Sequence, residues 1–347
     1  MPSPVSFASF NLENFQVAGL RARGRAPVSR AAYEGKMNWT RAVVQDLDAD
    51  VIVFQELWSR SCLEDVFDHL TLADYTVHTI KPTWYSIAVA AAVRRPWRVA
   101  SKRVIKKFPF ETLTHIDQGD GEDYDVNVSI DRFSRSILRL RLEHPNRRST
   151  PDVTVFGAHL KSKLPARQSR IPRAHRQTVG SAISTIRRTA EAAALRWILN
   201  NHMRSGVTPT VVLGDLNDEP RSNTLGILTE NPNMSRDATG GSTALYSVLQ
   251  LEQLRSFRDV YYTHEYRGRR DALDHILVSE EFFEGSDREI WALRDTRLLG
   301  RSHRRRQEEH ERSRDHPRRV SLGKGRGETA WQARGSREPE IGHPLPS

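Results

Sequence analysis

The chain has 347 residues, 37% hydrophobic and 28% charged; its 53 Lys plus Arg against 43 Asp plus Glu give a net charge of +10, with a mean hydropathy of -0.60. The length holds two ordinary domains or one large α/β domain, and the lone Cys62 excludes internal disulfides and a cysteine-rich zinc site. No run approaches the ~20 apolar residues that span a bilayer, and no hydrophobic signal segment opens the chain, so a cytoplasmic protein is expected, or a secreted one if the start codon is misassigned, and a monomer.

Short apolar runs alternate with helical stretches, without internal repeats, which reads as α/β or α+β. In chain order, strands are expected at Val5 to Asn11, Val51 to Glu56, Tyr75 to Thr79, Ile87 to Val93, Ile137 to Leu142, Val153 to His159, Thr210 to Gly214, Leu273 to Val278 and Ile290 to Asp295. One helix is expected from about Lys36 to Leu47, with Met37, Val43, Val44 and Leu47 on one face. A second runs from about Ala182 to Met203, where Ile186, Ala190, Ala193, Ala194 and Trp197 recur at helical spacing, so this face should pack on a sheet with Trp197 in the core.

Charge divides the chain near Gly300. Residues 1–299 carry 41 basic and 36 acidic side chains; residues 300–347 carry 12 and 7, so half the excess sits in the last 48 residues. A catalytic domain over 1–299 and an Arg-rich, largely disordered tail over 300–347 are expected, because the tail has few apolar residues to offset the entropy of ordering. Its composition also resembles a GC-rich coding region translated in a shifted frame, which reading the other two frames downstream of codon 300 would test.

Four apolar strands end in polar groups: Asn11 and Glu13 after the first, Gln55 and Glu56 after the second, His159, and then Asp215, Asn217 and Asp218. A buried strand that finishes in a carboxylate needs a partner for the charge. Gathered at one sheet edge, these ends would line a cleft with Glu56, Asp215 and Glu13 and the amides of Asn11 and Asn217. Oxygen donors without cysteine point to a hard cation, Mg2+ or Mn2+, that keeps waters and a substrate phosphate. Taken singly, Glu56 reads as a surface residue, Asn11 as a turn former and His159 as a satisfied edge histidine; their order and context change that reading.

Phe10-Asn11-Leu12-Glu13-Asn14-Phe15, Phe54-Gln55-Glu56, His159-Leu160-Lys161-Ser162-Lys163, Gly214-Asp215-Leu216-Asn217-Asp218 and Leu273-Asp274-His275-Ile276-Leu277-Val278 occur in an order that resembles the endonuclease/exonuclease/phosphatase superfamily. The resemblance spans roughly Phe7 to Val278 and implies a four-layer α/β sandwich, two packed mixed β-sheets flanked by helices, with a divalent-metal phosphodiesterase site at one end. It implies Glu56 as principal metal ligand, with Asn11 and Glu13 at the metal and its water shell. His159 would donate to a phosphate oxygen, Asp215 would orient or deprotonate the attacking water, and Asn217 would hold the scissile phosphate. Asp274 would orient the family's final histidine.

That final motif is Ser-Asp-His-x-Pro-Val followed by an apolar strand. Its counterpart here is Arg314-Asp315-His316-Pro317-Arg318-Arg319-Val320, which assigns Asp315 to the metal and His316 to catalysis. Arg replaces Ser, Pro is displaced, and Val320-Ser321-Leu322-Gly323 reads as a poor strand; a chance dipeptide is the competing reading.

Nucleic acid is the expected substrate. From His159 to Ala190 the chain has no acidic residue, while Lys161, Lys163, Arg167, Arg170, Arg173, Arg176, Arg187 and Arg188 supply eight cations suited to a phosphate backbone. Arg132 and Arg135, in Asp131-Arg132-Phe133-Ser134-Arg135, add a loop with an aromatic between cations. A solvated charged face explains the run equally well. A phosphatase, a sphingomyelinase-like phosphodiesterase, and an impaired member that only binds nucleic acid or a protein partner remain open.

Overall fold

The computed structural model describes residues 2–80, 86–115, 126–206, 208–235, 237–255, 262–266, 269–298 and 318–324. The first half contains β1 (Val5–Phe15), α1 (Arg30–Leu47), β2 (Val51–Leu57), α2 (Arg60–Phe67), β3 (Tyr75–Thr79), β4 (Ala88–Arg94), β5 (Arg98–Lys107), β6 (Leu113–His115), β7 (Val126–Val128), β8 (Arg132–Glu143) and β9 (Val153–His159). The second contains α3 (Arg176–Arg204), β10 (Thr210–Asp215), α4 (Asn223–Thr229), β11 (Tyr246–Ser247), α5 (Val248–Arg255), β12 (His264–Tyr266), β13 (Arg269–Asp271), β14 (Asp274–Val278), β15 (Trp291–Leu298) and β16 (Arg318–Lys324).

Two six-stranded sheets result, ordered β15-β16-β1-β2-β4-β3 and β11-β14-β10-β9-β8-β5. Both are mixed: β1 runs parallel to β2, and β9 parallel to β10, while their other ladders are antiparallel. The sheets face each other across Val5, Phe7, Val51, Val53 and Val89 on one side and Leu138, Leu140, Val155, Val211 and Ile276 on the other. Gly157 permits this approach, since a Cβ there would lie 2.9 Å from Val53 Cγ1.

Helices cover both outer faces. Val43, Val44 and Leu47 of α1 and Leu63 and Val66 of α2 pack on Phe10, Ile52 and Phe54. Leu195 and Leu199 of α3 and Leu225 and Leu228 of α4 pack on Phe156, Val212 and Leu277. The architecture is thus the expected four-layer sandwich, and the strands expected from sequence lie within a residue or a few of those observed. Ser29 caps α1 by accepting from Ala32 N at 3.2 Å. Cys62 is a free, buried thiol on α2. Among the described residues no helix is long and apolar enough to cross a membrane.

Three differences from the sequence reading are informative. Trp197, expected in the core, is 51% exposed, and Ile186 47%. Ala190 and Ala194 of the expected face are buried, but the rest of the buried stripe of α3 runs through Ser184, Arg188, Glu191, Leu195 and Leu199. Alanines on both sides of this helix allowed two stripes, and the structure buries the one carrying charge. The edge strand β5 was not legible because its Lys and Arg residues conceal the alternation; such charges suit an edge, where they discourage pairing with another chain.

The third difference is β16. Val320–Gly323, read as too poor for a strand, are placed between β1 and β15, with Val320 opposite Phe7 and Leu322 opposite Val5. Backbone pairing on two sides decides this strand more than its local propensity does. A boundary at 299/300 therefore runs through one sheet. The remaining tail, including Asp315 and His316, lies outside the described residues.

Candidate active site

Three motif residues meet because adjacent strand ends are in register. In the β10 ladders Asp215 lies opposite His159 of β9 on one side and opposite Asp274 of β14 on the other. The opposing sheet contributes Asn11, whose Nδ2 donates to Asp215 Oδ2 at 3.0 Å although 204 residues separate the two. His159 Nε2 stands 3.6 Å from the same carboxylate oxygen.

The backbone turns sharply where β1 and β2 reach this end. Glu13, Asn14 and Glu56 all take positive φ, at 45°, 61° and 59°, and both ladders shift register here. Such left-handed, non-glycine residues cost of order 1 kcal/mol or more each, and they concentrate where a side chain must be re-aimed for function. Trp58 ties the two bends together, donating from its indole Nε1 to Asn14 Oδ1 at 3.0 Å and from its backbone N to Phe15 O at 2.9 Å. Glu56 is half-buried, whereas Glu13 is exposed.

Asn217 also has positive φ, 55°. Its N–H donates to Asp215 Oδ1 at 3.0 Å and its Nδ2 to Leu160 O at 3.1 Å. His275 anchors this loop from below, with Nε2 donating to Asp218 O at 2.8 Å. Leu273 N and Asp274 N both donate to Thr263 Oγ1 at 2.9 and 3.1 Å, fixing the start of β14.

Electrostatics make these groups chemically unusual. Burial, then Asp274 and Glu56, push the Asp215 carboxyl well above the ordinary carboxylate range, against the pull of the Asn217 N–H and Arg135. Burial also raises Glu56, with Glu13 adding and Arg23 and Arg135 opposing. His159, only 1% exposed, is driven well below the ordinary histidine value by burial, Arg135 and Arg23, so it is neutral at pH 7. A raised carboxyl in a cleft is the usual state of a group that must exchange a proton.

The cations expected to meet substrate are mostly used internally. Arg135 is buried and donates to Leu160 O at 2.8 Å; burial pushes its guanidinium below the usual arginine value, against the pull of Glu191, Asp215 and Glu56. Lys161 Nζ donates to the carbonyls of Ser162 and Leu164 at 3.1 and 3.2 Å. Lys163 Nζ lies 2.9 Å from Glu219 Oε1, and Arg132 pairs with Asp131 at 2.8 Å. Arg188 is buried against Asp218 at 3.0 Å. Arg167, Arg170 and Arg173 stand exposed in the connection that leads into α3.

Two contributors escaped the sequence reading. Arg23, in the loop between β1 and α1, acts on Glu56, Arg135, His159 and Lys161. That loop is pinned by Gly19 N to Val28 O at 2.8 Å, Val28 N to Leu20 O at 3.0 Å and the buried Ala22. Glu191, fully buried on α3, was visible only as a lone carboxylate in an alanine-rich stretch.

Among the described residues no three acidic or histidine side chains group closely enough to hold an ion by themselves. A magnesium site asks less, one or two carboxylates with waters and substrate oxygens. The crowding of Asp215, Asp274 and Glu56 is the field a divalent cation relieves, and Glu56 with the Asn11 amide has the oxygen chemistry to hold one.

A family model described as Endonuclease/Exonuclease/phosphatase family matches residues 8–295. No curated protein matches the sequence. Among solved structures, a humanized D. rerio TDP2 bearing 14 mutations is similar at TM-score 0.55 and 12% identity, covering 92% of this chain and 99% of that one. D. rerio TDP2 complexed with single strand DNA product gives TM-score 0.54 and 12% identity over 92% and 99%. The human Nocturnin catalytic domain with bound sulfate gives 0.53 and 14% over 93% and 94%. At these identities the likeness is one of fold.

Proposed function

Because the chain belongs to the endonuclease/exonuclease/phosphatase family, whose members are phosphoric-ester hydrolases, we propose that it is a divalent-metal-dependent phosphodiesterase acting on nucleic acid by in-line attack of water. The observation that carries the reading is the alignment of His159, Asp215 and Asp274 on three neighbouring strands, with Asn11 bonded to Asp215 across the sandwich.

In this reading Glu56, with Asn11 and Glu13 beside it, holds Mg2+ or Mn2+, which supplies charge neutralisation at the phosphate. Asp215 takes the proton of the attacking water, its carboxyl already raised by burial and by Asp274 and Glu56. Asn217, fixed by Leu160 O and Asp215, orients that water and the phosphate. Neutral His159 donates to a non-bridging oxygen without bringing a second positive charge into the site. The sequence motif would add Asp315 at the metal and His316 as an acid or base. The exposed Arg167, Arg170 and Arg173 favour a polyanionic substrate over a small phosphomonoester. The solved TDP2 complex with a single-strand DNA product supports nucleic acid by analogy of fold.

Purified protein is incubated with supercoiled plasmid, single-stranded DNA, RNA and a soluble phosphomonoester, each with Mg2+ and with chelator. The expected result is Mg2+-dependent cleavage of a nucleic acid. Chelator-resistant cleavage refutes the metal reading, and turnover of the phosphomonoester alone refutes the nucleic-acid reading. His316→Ala should lower the rate by at least about 10-fold; an unchanged rate removes His316 from the site.

A further inference from the structure

We infer that Glu191 is a positioning residue for the active site, acting through the Leu160–Lys161 peptide on Asn217 and Arg135. It touches no metal-facing group, and no sequence motif marks it. Its carboxylate is fully buried on the inward stripe of α3, beside Ala190, Ala192 and Leu195. A carboxylate is costly to bury unless its oxygens are answered. Here Oε2 accepts from Lys161 N at 2.7 Å, and Oε1 accepts from Ser134 N at 2.7 Å and from Arg187 Nε at 3.3 Å.

The two short contacts clamp the segments that matter. Ser134 immediately precedes Arg135, and the Lys161 N–H belongs to the peptide whose carbonyl, Leu160 O, receives Arg135 NH1 at 2.8 Å and Asn217 Nδ2 at 3.1 Å. Leu160 N completes the frame, donating to Asp215 O at 3.1 Å. One peptide is therefore gripped at its N–H by an anion and at its C=O by the buried Arg135 and by Asn217, the residue read as orienting the phosphate. Hydrogen bonding of the N–H to a carboxylate polarises the peptide and strengthens its carbonyl as an acceptor. Arg188, one turn earlier, adds a bond from Nε to Asp218 Oδ2 at 3.0 Å, so α3 also holds the residue that follows Asn217.

The catalytic part of this inference rests on the phosphodiesterase reading; the structural part does not, and the test separates them. Glu191→Gln keeps the size but leaves one acceptor oxygen for three N–H donors, two of them backbone. In wild-type protein the Lys161 and Ser134 amides should exchange with solvent as slowly as those of β9, and in Glu191→Gln exchange should accelerate over 132–136 and 158–164 while β1 and β2 are unchanged. Fast exchange at both amides in wild type, or no change in the variant, overturns the proposal whether or not any nucleic acid is cut, and the wild-type measurement stands even if the variant fails to fold.

With DNA, or bis(p-nitrophenyl) phosphate should DNA not be cut, Glu191→Gln should lower kcat at least ~10-fold with KM within ~3-fold, and Glu191→Gln combined with Asn217→Ala should fall no more than ~3-fold below the poorer single variant. Losses that multiply would show that Glu191 does not act through Asn217. Failure of wild type to cut nucleic acid refutes the substrate reading alone.

Discussion

Replacing Gly214 by alanine should cost stability and activity together. Gly214 has φ 146°, and a Cβ built on it would lie 1.9 Å from Ala158 O and 2.9 Å from Ala158 C, both backbone atoms of the neighbouring strand. A carbon–oxygen contact settles at roughly 3.3 Å, so β9 and β10 must part by more than about 1 Å. Overpacking of this kind costs about 1–3 kcal/mol, and the backbone conformation forced on alanine a further 1–3 kcal/mol or so. The sum, about 2–6 kcal/mol, is a large part of the roughly 5–15 kcal/mol that holds a domain folded. At the displaced rungs stand Gly214 opposite Ala158 and Asp215 opposite His159, so the proposed base and the proposed phosphate donor would move apart. Thermal unfolding should show a Tm lowered by roughly 5–20 °C, and initial rates of phosphodiester hydrolysis should drop at temperatures where the variant is still folded. Gly35→Ala is the control: it lies within α1 with nothing near its added Cβ, and should be neutral or stabilising by up to about 1 kcal/mol. A Gly214→Ala protein that melts within a degree or two of wild type and retains full activity would refute the close approach of these strands.

Other expectations follow from particular groups. Mg2+ should raise Tm over that in chelator, by the equivalent of about 2.7 kcal/mol at 100 times Kd, and Glu56→Gln should abolish the rise; an equal shift with NaCl at matched ionic strength would point to screening instead. His202 is held down to about 4 by burial and the neighbouring Arg139. The unfolded chain therefore takes up its proton first as pH falls, and stability is full above about 6.5 and lost toward 4, by at most about 3 kcal/mol. His202→Leu should flatten the urea-unfolding profile across that window, and an unaltered slope would contradict the burial. Trp197→Ala should cost less than about 1 kcal/mol, whereas Leu195→Ala, fully buried, should cost about 2–5 kcal/mol; chemical denaturation of both decides whether the buried stripe of α3 is placed correctly.

Much of this molecule was legible locally. Val153–His159 forms a strand with the limits that its apolar run suggests, since such a run can hardly stay in water, and Tyr75–Thr79 does so on its β-branched and aromatic residues. The polar ends Asn11, Glu56, His159 and Asp215 stood out because a carboxylate or imidazole directly after a buried run requires a reason. Less was legible where neighbours decide. β5 shows no clean alternation because Lys and Arg fill it and most of its side chains are exposed, and β16 owes its placement to β1 and β15 on either side. The alanines of α3 are compatible with two faces, and only packing against sheet and loops selected the one with Arg188 and Glu191.

Side-chain type and the end of a hydrophobic run are local properties, so the sequence alone could nominate Asn11, Glu56, His159 and Asp215 as candidates. The tertiary structure decided what those residues are to one another. Only the β10 ladders bring His159 and Asp274 beside Asp215, and only the stacking of two sheets brings Asn11 within 3.0 Å of a carboxylate 204 residues away. It also turned cations that the sequence offers to a substrate, Arg135 and Arg188 among them, into buried partners of Leu160 O and Asp218. Burial makes a charge seek the nearest group that can answer it, and which group is nearest is fixed by the fold.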